Sequence, residues 1–438
     1  MPTTFRPCAP DQSFLFPPSP RDWLPEGHLA FFLADTVAAL NLEAFYAPYE
    51  GDGRRNQPFD PQMMVTVLLY AYATGTFSSR RIARKLEEDV AYRVLAAGNA
   101  PAHRTIADFR QQHLPAFHRL FVQVVQIARE AGLVRLGALA VDGSKVKANA
   151  SKHKAMSYGR MRQESQRLRE EIAALLAQAD AVDAAEDREH GLDVRGDELP
   201  AELQRREQRL AKIAAAKARV EARQADEDRE RGRTPGDGRK GRGHKPFARD
   251  FGVPPDDAQD NFTDPESRIM KMSNGFDQCY NGQLAVDEAS QIIVATGLTH
   301  CAADNAELVP LLDQVHTTLG DHPREVLGDA GYRGEAAFQT LEARGITGYI
   351  SLGHETRAAK PPNPAHVASQ RMADRLKTDV GRARYRRRKA IVEPVLGWVK
   401  ERLGFRRFSV RGLVKARDEW NLVCLATNLK RLHRLQPS

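Results

Sequence analysis

From Pro61 to Ala73 the chain is almost wholly apolar, the pattern of a helix buried on every side, and Pro61 suits its first turn. After Gly75, Ser78 and Ser79 offer a cap to a second helix over 80–86. Ile82, Ala83 and Leu86 share one face of it, leaving Arg80, Arg81, Arg84 and Lys85 outside. A third helix, over 105–110, follows the break at Gly98-Asn99-Ala100-Pro101. The first 135 residues therefore read as all-helical. Short turns between helices with outward arginines fit a helix-turn-helix DNA reader and, equally, a plain bundle with solvated arginines.

The period changes at 136. Leu136 to Asp142 is a short apolar run ending in a carboxylate, a buried strand. Residues 158–227 return to helical spacing, with Leu168, Leu175, Leu203 and Leu210 recurring. Gly191 and Pro200 interrupt them, which predicts a helical hairpin rather than one coiled coil. The stretch 229–248 is rich in Arg, Gly and Lys without an apolar period, and reads as a mobile basic loop. Two runs, 280–286 and 291–298, flank the turn Asp287-Glu288-Ala289-Ser290 as a β-hairpin. An amphipathic helix over 305–319, a strand over 324–329, a helix over 334–344 closed by Gly345, and a strand over 346–351 complete the alternation. A last helix carries Glu393; because Pro394 belongs in a first turn, that helix is expected to start near Ala390. The predicted class is α/β: a mixed sheet with helices on both faces over 136–438, interrupted by an insertion at about 158–248, behind an all-α domain over 1–135.

Composition narrows the partners. The 438 residues carry a net charge of +8 and are 42% hydrophobic. Positive charge gathers at 229–248 and 382–417, while 256–266 is acidic, a distribution that suits a polyanion such as DNA. No apolar run has the length of a membrane span and no signal core follows Met1, so a cytoplasmic, nucleoid-associated protein without membrane contact is expected. Cys8, Cys279, Cys301 and Cys424 are scattered, as in a reducing compartment, and Cys301 beside His300 makes no zinc site.

The candidate chemistry lies in the acids. Asp142 and Asp329 each close an apolar run, where a carboxylate is costly unless neutralised. Glu393 lies on the last helix of the sheet domain, with Lys389 and Lys400 on its side and Val392, Val395, Leu396 and Val399 turned to the core. Two aspartates and a glutamate converging over a sheet can hold two Mg²⁺ ions, with Mn²⁺ substituting, for in-line attack on a phosphodiester. Lys145, Lys389, Lys400 and Arg388 are the candidate phosphate contacts. Arg406 and Arg407, interleaved with Phe405 and Phe408, extend that surface.

These segments resemble the bacterial insertion-sequence DDE transposases. The likeness is carried by Ala140-Val141-Asp142-Gly143-Ser144, by Leu327-Gly328-Asp329-Ala330-Gly331-Tyr332, and by Arg388 through Gly397 with Lys400. Thr263 to Arg268 and Tyr280-Asn281-Gly282-Gln283 resemble the family's entry into the second strand. The resemblance implies a ribonuclease-H-like catalytic domain that cleaves element ends and joins the 3′-hydroxyls to target DNA. It also implies partners: terminal inverted repeats, target duplex, and a second protomer in the synaptic complex. In the family's Tyr-Arg-Glu-Lys signature, Lys400 keeps its gap after Glu393. Tyr385 and Arg388 sit one residue early, and Lys389 fills the arginine slot. A metal-dependent nuclease and a silent DNA-binding regulator are the alternative functions.

Overall fold

The computed structural model describes residues 19–49, 57–190, 201–237, 249–273, 275–353 and 363–436, with the side chains of 20, 21, 178–190, 201 and 202 left aside. The helical first part comprises α1 (Leu29–Ala39), α2 (Glu43–Tyr46), α3 (Pro61–Ala73), α4 (Ser79–Glu88), α5 (Val90–Leu95) and α6 (His103–Glu130). Asp60 caps α3 by accepting from the Met63 amide at 3.0 Å, with Pro61 in the first turn, and every residue from Met64 to Ala73 is buried. The helix expected over 105–110 runs on to Glu130. Ile106, Phe109, Leu114, Phe117, Phe121 and Val125 continue one apolar face through Pro115. The exposed arginines of α4 lie outside, as read from the sequence.

The sheet begins with β1 (Ala138–Lys147). A short pair, β2 (Ala155–Ser157) and β3 (Gln259–Asn261), brackets the insertion, whose helices are α7 (Tyr158–His190) and α8 (Ala201–Glu230). The insertion has its own small core of Met161, Leu168, Ile213, Ala216 and Val220. It is tied down by the buried Asp260, which takes Arg219 at 2.7 Å and Arg223 at 3.0 Å. The expected mobile loop is corrected over 229–237: Arg233 is buried and bonds Asp228 and Asp237, an ion cluster that composition hides. Residues 238–248 lie outside the described residues.

Next come β4 (Arg268–Met272), β5 (Gly275–Asp287), β6 (Ile293–Thr299), α9 (Leu308–Leu319), β7 (Glu325–Gly328), α10 (Glu335–Ala343), β8 (Thr347–Ile350), α11 (Val367–Lys377), α12 (Asp379–Gly397) and α13 (Leu413–Leu435). The strand order is β4-β5-β1-β7-β8, with β6 also paired to β5; β1, β7 and β8 are parallel and the other pairings antiparallel. Helix α9 covers one face, where Leu311 packs by Gly297. Helices α12 and α13 cover the other, where Trp420 presses on Gly282, so a Cβ there would lie 2.9 Å from the indole. One apolar core runs from α1 and α3 through the sheet to α13, which lies between the helical region and the sheet. A buried polar chain crosses the same boundary: Arg110 donates to the Tyr72 hydroxyl (3.2 Å), which donates to Glu419 (2.9 Å), which accepts from the Ser409 amide (2.7 Å). No single described helix is long and apolar enough to cross a membrane.

Two expectations are revised here. Asp142 does not end β1 but stands in its middle, because Gly143 to Lys147 keep pairing with Gln283 to Cys279 of β5. Helix α12 starts eleven residues before Ala390, at Asp379, where the Thr378 hydroxyl accepts from the Gly381 amide at 3.0 Å. Pro394 is tolerated inside it because the carbonyl it strands, that of Ala390, accepts instead from the Gln291 side chain at 3.0 Å.

Candidate functional site

Parallel pairing of β1 with β7 sets Ala140 beside Leu327, so Asp142 and Asp329 emerge next to each other two residues further on. Asp329 leaves β7 at the start of a 3₁₀ turn, Ala330–Tyr332, and its Oδ1 accepts from the Gly331 amide at 2.8 Å. Asp142 accepts from the Gly143 amide at 2.9 Å through Oδ1 and from Arg388 Nη1 at 3.2 Å through Oδ2. Burial raises the Asp142 carboxyl to about 6; Arg388 opposes that rise, while the charges of Asp329 and Asp304 add to it.

Asp304 is the acid that sequence reading missed. It lies in the loop between β6 and α9, and its Oδ1 accepts from Asn281 Nδ2 and Gln283 Nε2, each at 2.6 Å. Gln283 in turn accepts from the Tyr332 hydroxyl. The Tyr332 phenol is pushed well up by burial, then by the charges of Asp304, Asp142 and Asp329. Two glycines make room for this convergence. A Cβ at Gly143 would lie 2.6 Å from Asp304 Oδ1; one at Gly331 would lie 2.7 Å from Asp304 Oδ2 and 2.9 Å from Asp329 Oδ1. The signal was present in β5: Asn281 and Gln283 are amides two residues apart, on one face of the strand and fully buried, and such a pair demands a partner.

The remaining predicted residues fall at different depths. Glu393 is exposed on α12, five positions beyond Arg388 and so about 140° around the helix from it. Lys389 is also exposed, Arg388 is buried, and Tyr385 is half-buried against the core. Of the two candidates for the arginine slot, Arg388 is the one that reaches Asp142. Lys400 sits in a π-helical turn, Trp398–Arg402, that continues α12. Burial lowers its ammonium, and among its charged neighbours are Lys145 and Asp142. Lys145 donates to the Ala302 carbonyl at 2.9 Å, tying β1 to the Asp304 loop. Arg406 pairs with Glu401 on the surface and Arg407 is exposed, bridging to Lys147 through the backbone. Trp398 is half-buried with Arg434 4.1 Å above its ring. Cys279 and Cys424 are buried and Cys301 exposed, all three as free thiols.

The donor set at Asp142 and Asp329 is hard oxygen, the chemistry that suits Mg²⁺ or Mn²⁺, and the raised Asp142 carboxyl is the kind of charge a cation relieves. Among the described residues, no three His, Cys, Asp or Glu side chains close around a common point that could hold a metal ion. Asp142 and Asp329 thus stand side by side, with no third acid closing on the same point among the described residues.

Two family models match the chain: a transposase DDE domain over residues 353–433 and a transposase domain (DUF772) over residues 18–112. The first takes in α11, α12 and α13; the second takes in the helical region up to the first turns of α6. Both models are of transposase domains, and together they indicate an insertion-sequence DDE transposase. No curated protein and no solved structure matches the chain.

Proposed function

We propose that this transposase cuts the terminal inverted repeats of its own element and joins the freed 3′-hydroxyls to target duplex DNA, using Asp142, Asp329 and Glu393 as its acids. The observation that carries the reading is the pairing of Asp142 with Asp329 on neighbouring parallel strands, at a point where burial and like charge leave a carboxyl raised to about 6. Hairpin strands β6, β5 and β1 continuing into parallel β7 and β8 support a ribonuclease-H-like catalytic domain over 136–438. The helical region over 1–135 is then the DNA-binding domain.

Asp142 and Asp329 would hold the divalent ions, with Glu393 brought in from α12 to complete the set. When bound, such ions supply Lewis-acid activation of the attacking hydroxyl and stabilise the leaving oxygen. The chain's own groups do the rest. Arg388 keeps Asp142 ionised and aligned. Lys145, Lys389 and Lys400 flank the acids, and Tyr385, Arg406 and Arg407 extend the basic surface along which the phosphate backbone is gripped. Two element ends require at least two protomers, so a homodimer forms in the synaptic complex.

The test supplies DNA carrying the gene's flanking sequences together with a supercoiled target. Purified Asp142→Asn, Asp329→Asn and Glu393→Gln variants are expected to bind the ends yet neither cut nor join them. Full strand transfer by any of the three refutes its role, and cutting without joining by the wild-type chain points to a nuclease.

A further inference from the structure

The acid Asp304 stands beside Asp142 and Asp329 without belonging to the trio proposed above. Placing a third negative charge there is costly, and its hydrogen bonds show what offsets that cost. Asn281 and Gln283 point their amide nitrogens at one oxygen, Asp304 Oδ1, each at 2.6 Å. An oxygen that accepts twice satisfies both, and a side chain with no acceptor there would leave both buried amides unpaired. With its nitrogen committed, Gln283 must turn its carbonyl oxygen the other way, and there it accepts from the Tyr332 hydroxyl. Tyr332 closes the 3₁₀ turn that opens at Asp329. Gln283 and Tyr332 are both fully buried, so neither can reorient toward water. The other oxygen of Asp304, Oδ2, rests against Gly331, whose amide is held by Asp329.

We propose that Asp304 is a positioning residue for the cation site: it orients Gln283, which holds Tyr332 and so fixes the turn that presents Asp329. The inference rests on the reading of Asp142 and Asp329 as cation ligands. Asp304 acts through the relay and not on the DNA, so its loss changes how well the site takes a cation while leaving the DNA-binding surface intact.

The experiment is a Mn²⁺ titration of the full-length chain, followed by electron paramagnetic resonance, with DNA-end affinity measured in parallel. Asp304→Leu, which removes the shared acceptor, is expected to weaken Mn²⁺ binding by about tenfold, the scale of a lost outer-shell partner. Tyr332→Phe keeps the buried ring and breaks only the last link; it is expected to cost about threefold, a single neutral hydrogen bond. The double variant should be no weaker than Asp304→Leu alone, because both changes cut one chain. Affinity for DNA ends should not move in any of them. Unchanged Mn²⁺ affinity in Asp304→Leu, or losses that simply multiply in the double variant, overturn the relay. If Asp304→Leu fails to fold, Tyr332→Phe decides alone, and unaltered Mn²⁺ binding there overturns the proposal. Asp142→Asn separates the two levels. Wild-type Mn²⁺ affinity in that variant removes the site itself, whereas its loss alongside an unaffected Asp304→Leu removes only the relay.

Discussion

Asp142 and Asp287 lie on the paired strands β1 and β5, three rungs apart on the same ladder, and they are opposite kinds of acid. Asp287 is fully buried and surrounded by donors. The amides of Arg135, Leu136, Ala289 and Ser290 and the Ser290 hydroxyl all reach it, at 3.0–3.3 Å. It closes the β5–β6 turn, and its charge is spent on backbone N–H groups. Asp142 has one amide and one guanidinium, and faces two more acids. The contrast teaches that a carboxylate in a sheet becomes a site when its neighbours leave its charge incompletely answered.

Substitution separates the two most sharply. Asp142→Asn is expected to abolish cutting and joining while the chain melts near the wild-type temperature. Asp287→Ala strands several buried N–H groups and is expected to cost about 3 kcal/mol of folding stability, measurable by denaturant titration. If Asp142→Asn unfolds the protein instead, the contrast fails. A smaller effect is expected at the glycine between Asp304 and Asp329. Gly331→Ala forces a methyl to within 2.7–2.9 Å of two carboxylate oxygens, so it should cost about 1–3 kcal/mol by overpacking and weaken Mn²⁺ binding.

Acidity gives a third handle, and its two signs differ. Between the ordinary 3.8 and about 6, folded Asp142 binds a proton more tightly than the unfolded chain does, so its contribution to stability falls as pH rises through that window and is flat above it. Cation binding needs the ionised form, so Mn²⁺ affinity should fall by up to about tenfold per unit as pH drops below 6. Asp142→Asn should remove that dependence, which calorimetry at several pH values will show. The smallest effect is expected at Gln291→Ala, which unpairs the Ala390 carbonyl beside Pro394 and should cost about 1 kcal/mol in a thermal melt.

Much of this was legible from hydrophobic period alone. The hairpin β5–β6, the alternation α9-β7-α10-β8 and the pairing of α7 with α8 all follow from local apolar spacing and turn residues. What stayed hidden depends on partners distant in sequence. The extension of β1 past Asp142 needs β5 beside it, and the early start of α12 needs Gln291 to take a carbonyl that proline would otherwise strand. Arg233 reads as one more arginine in a basic run until Asp228 and Asp237 close on it. At the candidate site, the adjacency of Asp142 and Asp329 was readable because each ends an apolar run. Asp304 was not, since it lies in a loop, closes no strand-like run, and its meaning lies in two amides of another strand.

The most direct measurement replaces the divalent ion with Fe²⁺, adds ascorbate and peroxide, and maps where the polypeptide backbone is cut. Fragments ending near residues 142 and 329 in the wild-type chain, lost together in Asp142→Asn, are the predicted result. Cuts elsewhere, or cuts at those places that persist in the variant, would contradict a cation shared by these two carboxylates.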